Sequence, residues 1–179
     1  MRLFIAVNFN DEVKRRILDI QARLRAQSIK GNFTRPENLH LTLAFLGETP
    51  ESKLSPISEI IESVRFSPFE ISFKRTGCFT HSSKELWWIG AEKNCPGVLL
   101  LENIHRQLID RLSKAGVPVD ERPFNAHITI GREVKHPSPI ILDCPEITVK
   151  VERISLMKSE NIRGLLTYTE QFAYIDKKA

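Results

Sequence analysis

The chain has 179 residues, 41% hydrophobic and 27% charged, with a formal charge of +4 and a pI near 9.0. That size suits a single domain over 1–179, built as one unit or as two intimately packed lobes. No stretch approaches the roughly 18 consecutive apolar residues of a membrane span, and Asn8 interrupts the apolar start Met1–Val7 before it reaches the length of a secretory core, so the cytosol is the expected compartment. The cysteines Cys78, Cys95 and Cys144 are odd in number and widely spaced, which implies neither a disulfide framework nor a zinc knuckle. The Gly-rich phosphate loops and the His-Glu-x-x-His of zinc hydrolases are missing too.

In chain order, residues 2–9 alternate as a strand, and Asn10-Asp11-Glu12 reads as an N-cap followed by acidic residues in a first helical turn. Val13, Ile17, Ile20 and Leu24 carry that helix to about Ser28, with Gly31 as its stop. Arg35–Asn38 is a turn into a strand that runs from Leu39 to Gly47. Pro50-Glu51-Ser52 opens a second helix through about Val64, and strands follow at 69–76 and 86–89. From Pro96 to about Ala115 a third helix carries Leu100, Ile104, Leu108 and Leu112 on its apolar stripe, with His105 at the edge. A strand at 127–131 comes next, then two late strands at 147–151 and 165–168 around a polar turn from Ser159 to Gly164. Both halves repeat strand, long helix, proline-containing turn, strand. Antiparallel sheets with helices outside, an α+β fold with internal pseudo-symmetry, fit this plan.

Two of those strands rhyme. His40-Leu41-Thr42-Leu43 and His127-Ile128-Thr129-Ile130 each place a His and a Thr two residues apart, with an aliphatic residue after each. Side chains two apart on a strand share a face, so each segment has a polar front and an apolar back. Two imidazoles 87 residues apart in sequence can divide general acid and general base duties at neutral pH. Each segment offers one imidazole and no carboxylate beside it, a poor ligand set, so no metal and no cofactor are expected. The positive charge weakly favours an anionic partner. His81 and His136 read as surface residues, and His105 as a packed or solvent-exposed helix residue.

Arg2-Leu3-Phe4-Ile5-Ala6, Arg35-Pro36-Glu37-Asn38-Leu39-His40-Leu41-Thr42-Leu43-Ala44-Phe45-Leu46-Gly47 and Phe124-Asn125-Ala126-His127-Ile128-Thr129-Ile130-Gly131-Arg132 closely resemble the two-histidine (2H) phosphoesterase superfamily. Within it the likeness is to the RNA 2′,3′-cyclic phosphodiesterases, first described as 2′-5′ RNA ligases. Ser155–Glu160 with Gly164 and Tyr168 is similar to the family's ending, so the resemblance spans nearly the whole chain. Where the family often has a Trp-Val pair before the Pro-Glu-Asn-Leu-His stretch, this chain has Phe33-Thr34-Arg35, a difference at the rim of the site.

The resemblance implies a two-lobed fold whose antiparallel sheets line a central groove. It also implies metal-independent hydrolysis of 2′,3′-cyclic phosphate ends of RNA or oligonucleotides to 2′-phosphomonoesters; a monomer is the default expectation for the oligomeric state. It assigns His40 as general acid, His127 as general base, and Thr42 and Thr129 to the phosphate, although the near-symmetric segments leave the acid and base labels exchangeable. Phe45 and Arg132, each the fifth residue after its His, are implied at the groove mouth, Phe45 stacking on a base or sugar and Arg132 supplying positive charge. Strict alternation turns both toward the back, and a bulge at Gly131 would return Arg132 to the front. Reversible 2′-5′ joining of RNA, cleavage of another small phosphodiester, and a non-catalytic module for RNA ends stay open as alternatives.

Overall fold

The computed structural model describes residues 1–82, 84–120 and 122–175. Its strands are β1 (Arg2–Asn8), β2 (Lys30–Phe33), β3 (His40–Glu48), β4 (Phe69–His81), β5 (Lys84–Ala91), β6 (His127–Lys135), β7 (Ile147–Val151), β8 (Arg153–Ile162) and β9 (Leu165–Ile175). Three helices, α1 (Asp11–Ala26), α2 (Leu54–Ser63) and α3 (Pro96–Lys114), are joined to them by short connections, including 3-10 turns at Pro36–Asn38 and Glu51–Lys53. The strands form two antiparallel sheets, in the orders β3-β1-β8-β9 and β2-β6-β5-β4-β7. The α+β class read from the sequence is the one observed. Among the described residues no helix is long and apolar enough to cross a membrane.

Local chemistry sets the helix starts. The Asn10 side chain accepts the Val13 N–H at 2.9 Å, filling one of the donors that a helix start leaves open. Pro96 at the first turn of α3 gives up no hydrogen bond there. The buried stripes Ile17, Ile20, Leu24 of α1 and Leu101, Ile104, Leu108, Leu112 of α3 join Leu41, Leu43 and Leu46 of β3 and Ile128, Ile130 and Val134 of β6 in one continuous core. Each fully buried aliphatic side chain contributes about 1.5–3 kcal/mol to that core.

Several boundaries differ from the sequence reading. Helix α1 ends at Ala26 with Gln27 as its cap, and Gly31 lies inside β2 instead of stopping the helix. A Cβ at Gly31 would sit 3.1 Å from Val134 and 3.2 Å from Phe33, so glycine serves close packing of β2 on β6. Leu100 is 44% exposed and Leu101 takes its place in the core. The buried arc of α3 runs over Val98, Leu101, Ile104, Leu108 and Leu112, and Leu100 lies about 100° from its centre. The polar turn expected over 159–164 is mostly strand: β8 runs to Ile162, leaving Arg163 and Gly164 as a two-residue hairpin with positive φ at both. The run Ile154–Met157 is buried on both faces, Ile154 and Leu156 in the main core and Met157 with Phe4 and Ala6 in a separate cluster, so it shows no alternation.

The two rhyming strands share an irregularity at the third residue after each His. In β3, Thr42 pairs with Ala6 and Ala44 with Ile5, so Leu43 is an extra residue. In β6, Thr129 pairs with Trp88 and Gly131 with Trp87, so Ile130 is the extra residue. A bulge of this kind shifts the side-chain alternation by one position. Helix side chains take both bulge carbonyls: His105 Nδ1 donates to Leu43 O at 2.7 Å, and Gln21 Nε2 donates to Ile130 O at 2.8 Å and to Thr34 O at 2.7 Å. Gln21 is buried. Replacing it with leucine removes the donor to the Thr34 carbonyl and leaves the Ile130 carbonyl with the Thr34 N–H at 3.1 Å, and we expect Gln21→Leu to lower unfolding free energy by about 1–3 kcal/mol. Urea denaturation with an unchanged m-value is the check.

Candidate active site

His40 opens β3 directly after the 3-10 turn. Its Nδ1 donates to the Asn38 carbonyl at 2.7 Å, which fixes the neutral tautomer with the proton on Nδ1 and the lone pair on Nε2. That Nε2 lies 3.0 Å from Thr42 Oγ1, two residues along the same face, and accepts the hydroxyl proton. The turn is itself tied down: Arg35 Nη2 and Asn38 Nδ2 donate to Leu166 O of β9 at 2.7 and 2.9 Å. The His40 ring packs against Phe4 and Tyr168, at centroid distances of 4.8 and 5.3 Å. Burial pushes its pKa down to about 4, overriding the opposing Asn38 hydrogen bond, and the positive charge of Arg132 and the proximity of His127 add to the depression.

His127 repeats the arrangement on the other sheet. Its Nδ1 donates to the Asn125 carbonyl at 2.8 Å, again leaving the lone pair on Nε2. Burial lowers its pKa below the usual histidine value, with Arg132 again contributing. Phe79 meets its ring edge-on at 5.5 Å. The Thr129 hydroxyl has no hydrogen-bond partner among the described residues, while its carbonyl accepts Thr34 Oγ1 at 2.9 Å. Strands β3 and β6 approach within 8 Å between Cα atoms, bringing the two His-x-Thr faces into one site.

The bulges settle where Phe45 and Arg132 go. Past Leu43, Phe45 stands opposite Phe4 on the front face, with ring centroids 6.3 Å apart, and is 43% exposed. Past Ile130, Arg132 stands opposite Leu86, again on the front. Its charge reaches His40, His127 and Tyr168, lowering each pKa, although burial raises that of Tyr168 overall. The reading by strict alternation, which sends both side chains to the back, is overturned. The bulge lies at the residue before Gly131, and the first strand has one at the same place without a glycine.

The other histidines divide. His81 is exposed. His105 is packed, stacking on Phe124 at 4.8 Å while it holds the Leu43 carbonyl. His136, read as a surface residue, is instead half-buried: Nε2 sits 3.0 Å from Glu85 Oε2 and the ring packs on Trp87. Asn38 and Asn125, to which the sequence reading assigns no role, supply the carbonyls that orient the two imidazoles. The rhyme extends two residues upstream as Asn-x-His in both segments, and that repeat is the signal that would have found the two carbonyls. Among the described residues no group of three or more His, Cys, Asp or Glu side chains is placed to hold a metal ion.

The sequence family described as LigT like phosphoesterase matches residues 7–88 and 99–168. The RNA 2′,3′-cyclic phosphodiesterase of Archaeoglobus fulgidus is 38% identical over 145 residues, 80% of this chain and 78% of that protein. The protein of the same name from Thermotoga maritima is 35% identical over 167 residues, 89% of this chain and 87% of its own. Among solved structures, E. coli LigT complexed with 3′-AMP superposes with a TM-score of 0.83 at 25% sequence identity, over 97% of both chains. With a match over most of its length and the His-x-Thr strands inside the matched segments, this chain belongs to the LigT-like phosphoesterase family.

Proposed function

We propose that this protein hydrolyses 2′,3′-cyclic phosphate ends of RNA or oligonucleotides to 2′-phosphomonoesters, without a metal. The observation that carries the reading is the matched pair of imidazoles, each with Nδ1 spent on the backbone carbonyl two residues before it, so that Nε2 carries the lone pair, with a threonine two residues along the same strand face. The names of the relatives supply the substrate class. In the reaction, His127 Nε2 takes a proton from water as its oxygen bonds to phosphorus. The P–O3′ bond breaks, and His40 Nε2 gives its proton to the departing O3′. Thr42 and Thr129 donate hydrogen bonds to the non-bridging oxygens, where charge grows in the transition state. Arg132 adds positive charge, and Phe45 offers its exposed ring to the terminal base or sugar.

Burial holds both imidazoles neutral at pH 7 in the free protein. The acid must therefore gain its proton beside the substrate's phosphate anion, whose charge offsets the desolvation of the imidazolium.

His40→Ala and His127→Ala should each lower kcat/KM for a nucleoside 2′,3′-cyclic phosphate by at least about a hundredfold, while EDTA leaves the wild-type rate unchanged; a steady-state assay reads both. A nucleoside phosphodiester with a p-nitrophenolate leaving group needs no proton donor. On it His40→Ala should retain far more activity than His127→Ala, and the opposite order exchanges the acid and base labels. Because a lowered pKa leaves the acid protonated only at lower pH, kcat/KM should peak below pH 6.5. It should then fall toward tenfold per unit on the alkaline side. A maximum at pH 8 or above would contradict the burial of the pair.

A further inference from the structure

Two aromatic platforms flank the site, one in each half. The first, Phe4, Phe45 and Tyr168, lies on the His40 side. The second lies on the His127 side, on the front of the five-stranded sheet. There the Phe79 ring, 42% exposed, packs on Trp88 at 5.4 Å with a 35° tilt. This second platform is built into the sheet. Trp88 lies flat over Gly77 and Gly90: a Cβ at either glycine would come within 2.5 or 2.6 Å of the indole. Any larger residue at 77 or 90 would lift the indole and with it Phe79.

The surroundings are basic. Arg75 stands opposite Gly90, which stands opposite His127, so Arg75 shares the front face two strands away, about 10 Å across the sheet. It is exposed, and among the described residues no carboxylate lies within ion-pair distance of it. Arg132 lies on the same face, opposite Leu86, whose other neighbour is Phe79. Flat rings interleaved with guanidinium groups suit a single strand of nucleic acid, the bases stacking and the phosphates pairing with the arginines.

A nucleoside cyclic phosphate carries one base and can fill only one platform. We infer that the Phe79–Trp88 platform is a second nucleobase subsite, which takes the nucleotide next to the terminal one, with Arg75 on the intervening phosphodiester. This rests on the hydrolase reading above and narrows it: the preferred substrate is an oligonucleotide end, not a mononucleotide.

The test compares adenosine 2′,3′-cyclic phosphate with the adenine dinucleotide that ends in the same group. Wild type should favour the dinucleotide in kcat/KM by at least about fivefold, the worth of one stacked base. Phe79→Leu keeps an apolar contact for His127 but removes the flat ring. It should bring the dinucleotide-to-mononucleotide ratio toward one, whatever its absolute rate, through KM. Arg75→Gln, remote from both histidines, should lower the same ratio and weaken its dependence on salt. A wild-type ratio near one, or a ratio that both variants preserve, would overturn the subsite. Turnover of neither substrate by wild type would overturn the hydrolase reading instead. Fluorescence anisotropy with a 5′-labelled tetra-adenylate ending in a 2′-phosphate then decides the subsite: a Kd weakened at least about fivefold in Phe79→Leu supports it, and an unchanged Kd rejects it.

Discussion

One extra residue in each of two strands decides what the site contains. Leu43 and Ile130 break the alternation of β3 and β6, so the residues just past them, Phe45 and Arg132 included, present the opposite parity from those before; in β3 a second extra residue, Leu46, shifts it once more. Without those bulges Phe45 and Arg132 would point into the apolar side, and Arg132 would bury a guanidinium with no partner, a cost no nearby burial of aliphatics offsets. With them, His, Thr and the fifth residue all share one face. The bulge carbonyls do not go unpaired: His105 of α3 donates to Leu43 O, and Gln21 of α1, together with the Thr34 N–H, donates to Ile130 O.

The electrostatics follow from the same placement. Each imidazole is oriented by a backbone carbonyl two residues before it, which costs no charged partner and leaves the ring free to change protonation state. A carboxylate in that role would raise the pKa and hold the ring charged. Here burial and Arg132 act in the other direction.

The sequence made the His-x-Thr strands legible because strand periodicity and residue chemistry coincide there: a polar pair on one face, a branched aliphatic pair on the other. The same periodicity misdirected Phe45 and Arg132, since a bulge is fixed by pairing with β1 and β5 and by side chains from distant helices, none of which a local pattern contains. β8 escaped notice for a related reason. Side chains pack on both of its faces over Ile154–Met157, which removes the alternation, and its polar end, Ser159 to Ile162, resembles a turn. Trp87 and Trp88 were read only as a strand. That Trp88 lies flat over two glycines depends on the register of β4 against β5, which the sequence does not display.

The helices that hold the bulges are crossed. Gln21, in the helix that follows β1, serves the strand bearing His127, while His105, in the helix that follows β5, serves the strand bearing His40. Either half alone would carry a bulge carbonyl and the wrong helix to receive it. Two separate copies of one half would complete each other only by exchanging helices, as in a swapped dimer whose integrity depends on concentration. Joining the halves in one chain makes the exchange intramolecular and independent of concentration, and the strand bearing each histidine is braced by a helix from the other half.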